Sequence, residues 1–151
     1  MIAERLAQLE IELPAVSPPA GNYVGCVVVD DFVHVGGHGP VGGPERFAGK
    51  VGTDLTLEDG YRAARATGLS ILATLAAELG DLDRIERMVK VFGMVNVAPG
   101  FNRTPEVLDG CSNLLVEVFG EAGRHTRSAV GMAELPFDIP VEIELIARLR
   151  R

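Results

Sequence analysis

Lysine is nearly absent. Lys50 and Lys90 are the only two in 151 residues, against 21 acidic side chains and a formal net charge of −7. A phosphate-binding surface needs clustered Lys and Arg to displace counterions, so a nucleic-acid partner is not expected. Cysteine is scarce as well. Cys26 and Cys111 both sit in apolar contexts, which suggests a reducing compartment rather than a disulfide framework. No apolar run approaches the ~20 residues that span a bilayer. The N-terminal stretch carries Glu4 and Glu10 in place of the apolar core of an export signal. A soluble, cytoplasmic protein with no membrane partner is the expectation. Apolar material is plentiful: hydrophobic residues make up 47 % of the chain, enough for one core, and the length suits a single domain spanning 1–151.

Apolar spacing at Ile2, Leu6, Leu9 and Leu13 predicts a short amphipathic helix over residues 2–13, ending before Pro14. After a Pro-rich connector, Tyr23–Val29 and Phe32–Val35 flank Asp30-Asp31 and read as a β-hairpin. Gly36–Gly49 reads as an irregular loop, with a short strand near Arg46-Phe47. Thr56 and Asp59 then form a capping box that opens a long helix, which Gly80 closes. Gly60 and Gly68 cost that helix propensity and imply close packing against a sheet. The continuous apolar run Ile85–Val97 reads as a buried strand. Thr104-Pro105-Glu106 opens a second long helix, with Thr104 as the hydroxyl N-cap and Leu108, Leu115 and Phe119 on its core face. Two strands, His125–Glu134 and Val141–Leu149, end the chain. Strands and helices in this order suit an α+β fold with helices on one face of a mixed sheet.

Several motifs fail on context. Gly37-His-Gly-Pro-Val-Gly42 matches G-x-G-x-x-G, but Gly43-Pro44 follows, so no helix opens there to hold a pyrophosphate. Gly49-Lys50 lacks the Ser/Thr and the first glycine of a P-loop. His34, His38 and His125 have no metal-ligand spacing and read as satisfied or surface histidines. His38 is the partial exception, because its glycine-rich loop suits a pocket wall as well as a plain loop. No nucleophile elbow is present, and Cys111 reads as a small core residue.

Arg127 stands apart. It lies in a small, apolar strand, where a buried guanidinium is costly unless an anion meets it. Alternation puts His125, Arg127, Ala129, Gly131 and Ala133 on one side, so small residues leave room beside the charge. Two readings stay open: an internal salt bridge, or a bidentate anchor for a substrate carboxylate. Glu142 and Glu144 share a face of the last strand, where surface acids are the default. In a simple hairpin, Arg127 and Glu142 would lie on the order of 20 Å apart. They would then meet only if two subunits supplied them.

At these residues the sequence resembles the RidA (YjgF) family, also called L-PSP endoribonuclease-like. Arg127, Ser128, Val130, Leu135, Pro136, Glu142, Ile143, Glu144, Ile146 and Ala147 match its C-terminal signature. Gly21-Asn-Tyr23 is similar to its Gly-x-Tyr entry, and Gly37 with Pro40 to its Ser-Gly-Gln-x-Pro segment. Residues 1–13 look like an N-terminal helix added in a divergent subgroup. The resemblance implies a chorismate-mutase-like mixed sheet with two long helices on one face, a homotrimer, and clefts between subunits. It also implies hydrolysis of reactive 2-imino or enamine acids to 2-keto acids and ammonia, with no metal or organic cofactor. Arg127 would hold the substrate carboxylate, Glu142 would place water, and Tyr23, Gly37, His38 and Ala129 would line the site. The chain departs from the family pattern at Gly36, His38, Pro105 and Ala129. Two alternatives follow: a non-catalytic or regulatory trimer that binds small carboxylates, or another carboxylate-substrate hydrolase or mutase of this fold.

Overall fold

The computed structural model describes residues 1–41 and 47–151; of the short strand expected near Arg46-Phe47, Arg46 lies outside them. The N-terminal helix α1 spans Ile2–Gln8, shorter than the spacing predicts. Glu10 takes a left-handed φ of 54°, which stops the helix, although Ile11 and Leu13 still pack on the core. Strands β1 (Cys26–Val29) and β2 (Phe32–His38) form the expected hairpin, with Val29 opposite Phe32 and Asp30 left-handed at the turn. Tyr23–Gly25 stay outside the regular strand, although the Gly36 amide still reaches the Gly25 carbonyl at 3.0 Å.

Helix α2 (Leu57–Leu79) begins at the Thr56–Asp59 capping box and ends at Gly80, whose φ is 74°. The reciprocal bonds are Asp59 N–H to Thr56 Oγ1 at 3.1 Å and Thr56 N–H to Asp59 Oδ2 at 2.8 Å, and they lower the Asp59 pKa. Strand β3 (Ile85–Asn96) is the long buried one. Helix α3 runs Thr104–Phe119, then β4 Thr126–Met132 and β5 Val141–Leu149.

Two expectations about the helices need correction. The glycines of α2 pack against the other helix rather than the sheet. A Cβ on Gly68 would stand 2.9 Å from Leu114, and one on Gly110 of α3 would stand 2.1 Å from the Tyr61 carbonyl. Small residues here let two helix backbones approach closely. Thr104 is the first residue of α3 rather than its N-cap, and its hydroxyl donates to the Ala129 carbonyl at 3.0 Å.

The sheet order is β1-β2-β5-β3-β4. β3 and β4 are parallel, joined through α3, and the remaining pairs are antiparallel. The last two strands therefore form no hairpin, because β3 lies between them. Both long helices pack on one face, over Val33, Val35, Val91, Val95, Ile143, Leu145 and Ala147, all buried. Among the described residues no helix packs on the other face, which carries Val27, Val29, Phe32 and Val130 exposed beside half-buried Phe92, Met94 and Ile146.

Candidate functional site

Alternation along β4 and β5 decides where the two charged candidates point. Arg127 is in register with Val91 and, one strand further, Leu145, both buried under the helices. Glu142 is in register with Met94, between buried Val141 and Ile143, so it faces away from the helices. The two thus occupy opposite faces of one sheet. Three positions along and two strands across put their Cα atoms about 14 Å apart. They are nearer than the roughly 20 Å of a simple hairpin, but within one chain the sheet itself separates them.

Arg127 does meet an internal acid. One Nη1 hydrogen goes to Asp109 Oδ1 at 2.9 Å and the other to Ser112 Oγ at 3.0 Å. The interior is not sealed, however. The Arg127 side chain is 21 % exposed and Asp109 is 47 % exposed, so solvent reaches this ion pair. The guanidinium's remaining edge, Nε with Nη2, makes no hydrogen bond among the described residues. A single-nitrogen tie leaves the planar fork available for a two-point carboxylate contact. Ala129 lies two residues along on the same side, half-buried. Arg127 also lies near Cys111, whose thiol burial pushes up to about 12. Cys111 is an inert core residue.

His125 completes this cluster. Its Nδ1 lies 2.7 Å from the Gly123 carbonyl and its Nε2 3.0 Å from Ser112 Oγ. Burial, with Arg127 adding to it, depresses its pKa against the opposing bond to Gly123.

On the far side of the sheet's middle, Tyr23, Gly37 and His38 line a cavity of about 360 Å³ with Ser70 and Thr74 of α2. The His38 ring bridges the Gly36 carbonyl at 2.8 Å and Thr74 Oγ1 at 2.9 Å. The irregular register of β2 between Val35 and His38 turns that ring toward the helices. Tyr23 is exposed, and its hydroxyl accepts from the Ala20 amide at 3.1 Å. Glu142 backs Gly37 closely: a Cβ there would lie 3.0 Å from its carboxyl carbon. Burial raises the Glu142 pKa, as does neighbouring Glu144, while His38 pulls it down. The predicted residues thus fall into two groups. Tyr23, Gly37, His38 and Glu142 cluster around the β2 irregularity, whereas Arg127 and Ala129 sit at the opposite edge.

Sequence reasoning missed Asp109, Ser112 and Thr74. Asp109 and Ser112 are i, i+3 on α3, so they share a face, and two polar residues one turn apart beside an apolar stripe were a usable signal. Among the described residues no three His, Cys, Asp or Glu side chains converge as metal ligands, and no helix is long and apolar enough to cross a membrane.

Residues 3–149 match the family model described as YjgF/chorismate mutase-like, putative endoribonuclease. Protein TCP17 of Trypanosoma cruzi is 43 % identical over 152 residues, covering 98 % of this chain and 94 % of that protein. The crystal structure of Atu1372 from Agrobacterium tumefaciens, described as of unknown function, is 38 % identical with a TM-score of 0.90, covering 99 % and 92 % of the two chains. A putative endoribonuclease from Shewanella oneidensis MR-1 is 33 % identical with a TM-score of 0.94 over 99 % of both chains. The mixed sheet, two long helices and short N-terminal helix are the chorismate-mutase-like fold of these relatives.

Proposed function

The chain belongs to the YjgF/chorismate mutase-like family, and from that premise we propose that it hydrolyses reactive 2-imino or enamine carboxylic acids to 2-keto acids and ammonia. The observation that carries this reading is the partly exposed Arg127 fork, which among the described residues is tied through Nη1 only. Its Nε/Nη2 edge matches a carboxylate, while C2 of the bound imine is already electrophilic. Glu142 holds the water. Its raised pKa brings a carboxyl closer to neutrality, where a group can both accept and return a proton. Water adds at C2, the nitrogen gains a proton, and ammonia leaves as the carbonyl forms. Positioning supplies most of the acceleration, since the substrate needs no further activation.

Because Arg127 and Glu142 lie on opposite faces of one sheet, the site is assembled from two subunits. Tyr23, Gly37 and His38 enter with Glu142, and Ala129 enters with Arg127. The uncovered sheet face, bearing Val27, Val29, Phe32 and Val130, supports self-association that buries it, and the family resemblance makes that assembly a homotrimer. The protein works in the cytoplasm. RNA is not the substrate in this reading, because a chain of net charge −7 with two lysines is poorly suited to phosphate backbones.

The test supplies an imino acid generated in situ by an amino-acid oxidase and follows release of the 2-keto acid. Wild type accelerates release, Arg127→Ala abolishes it without changing the light-scattering mass, and Glu142→Gln binds 2-keto acid without turnover. A second reading, a non-catalytic carboxylate-binding trimer, is favoured by Asp109 already sitting on Arg127 and by the altered lining at Gly36, His38 and Ala129. Wild-type binding without turnover would select it. Neither binding nor turnover would defeat both.

A further inference from the structure

The proton positions around Arg127 can be deduced one after another. A guanidinium only donates, so Ser112 Oγ must accept from Arg127 Nη1. The Ser112 hydroxyl proton is then free to donate to His125 Nε2. The Gly123 carbonyl can only accept, so the ring proton sits on Nδ1, and in the neutral ring Nε2 is the bare nitrogen that accepts from Ser112. His125 is the neutral imidazole that its depressed pKa favours. Gly123 is fixed in turn: a Cβ there would lie 2.2 Å from the Leu115 carbonyl, so the turn is clamped onto α3. The chain of bonds therefore starts on rigid backbone and ends on the guanidinium.

Asp109 takes the other Nη1 hydrogen, and its half-exposed carboxylate brings a negative charge to the mouth of the site. With one side of the guanidinium occupied on both hydrogens, the side chain is fixed against rotation about its last bonds. An incoming carboxylate then finds a single edge. It also finds a cation whose charge is already partly answered. A second carboxylate on the same ligand would be repelled by Asp109, because like charges brought together at a partly desolvated site are strongly disfavoured.

We propose that Asp109, Ser112 and His125 act through Arg127 as one positioning device, presenting its Nε/Nη2 edge outward and admitting ligands with one carboxylate over ligands with two. This rests on the reading of Arg127 as a carboxylate anchor. Ser112 and His125 set the orientation, and Asp109 sets the charge selectivity. None of the three touches the reacting carbon.

Isothermal titration of the purified protein with 2-oxobutanoate and 2-oxoglutarate tests this. Wild type prefers the monoacid. Asp109→Asn, which keeps an acceptor and loses the charge, narrows that preference by on the order of tenfold, mainly by gaining the diacid. Ser112→Ala weakens both ligands alike by about tenfold, and Ser112→Thr, which returns the hydroxyl, restores them. Circular dichroism confirms folding, and exposed Asp109 makes its variant the safe arm. If Asp109→Asn leaves the ratio within about twofold of wild type while Arg127→Ala removes binding, the device is wrong and the anchor stands. If Arg127→Ala binds as wild type does, or wild type binds neither acid, both fall.

Discussion

Thr104 and Ala129 are joined by a hydrogen bond of 3.0 Å, from the threonine hydroxyl to the alanine carbonyl. Thr104 is buried at the start of α3, and Ala129 lies two residues beyond Arg127 on the edge strand β4. The bond pins the helix that carries Asp109 and Ser112 to the strand that carries the guanidinium. It is a second polar tie between them, beside the Ser112–His125 contact at the other end of the strand. Thr104→Val keeps the shape and removes the donor. It should lower stability by about 1 kcal/mol and weaken 2-keto acid binding, read by urea denaturation and titration calorimetry. Unchanged affinity would show that the guanidinium is held well enough without the pin.

Glu142 makes stability depend on pH in one direction. Its folded pKa is raised by burial and by Glu144. Between the ordinary carboxyl value and the raised one, the folded state binds more protons than the unfolded state, so stability rises as pH falls through that window. Glu142→Gln removes the effect. The difference in urea midpoint between wild type and this variant should shift in favour of wild type on acidification from pH ~7 to ~5. A difference that stays flat would mean that the carboxyl titrates normally in the fold.

His125 works the opposite way. Its folded pKa is depressed, chiefly by burial. As pH falls through the ordinary imidazole range the unfolded state takes up a proton first, so stability falls until the folded pKa is reached. His125→Gln should flatten this slope in the same urea series. A variant as acid-sensitive as wild type around pH ~6 would locate the titration in another group.

Gly110 sets the distance between the long helices. A Cβ would be placed 2.1 Å from the Tyr61 carbonyl, which is backbone and cannot swing away. Gly110→Ala should cost about 3 kcal/mol, at the upper end for overpacking, despite alanine's better helix propensity. A thermal melt distinguishes the outcomes: an unchanged or higher midpoint would mean that α2 and α3 can separate freely.

Much of the local structure was legible from residues alone, because it is decided over a few neighbouring peptides. The Asp30-Asp31 turn, the Thr56–Asp59 capping box and the Gly80 terminus need only their own dihedrals and hydrogen bonds. The same holds for Arg127 as a charge that demands an anion, since desolvation follows from its apolar strand whatever lies across from it. The end of α1 is not legible in this way: apolar spacing runs on to Leu13, and the left-handed Glu10 that stops the helix leaves little trace in it.

What only the tertiary structure decided is long-range partnership. The linear order β4, loop, β5 suggests a hairpin, and nothing local reveals that β3 takes the place between them. A parallel β3–β4 pair needs the α3 crossover, and that crossover delivers Asp109 and Ser112 to Arg127. It also puts Arg127 and Glu142 on opposite faces. Residue identity dictated which groups are costly to bury. Register and crossover, which are set by burial of the whole sheet against two helices, dictated which groups meet.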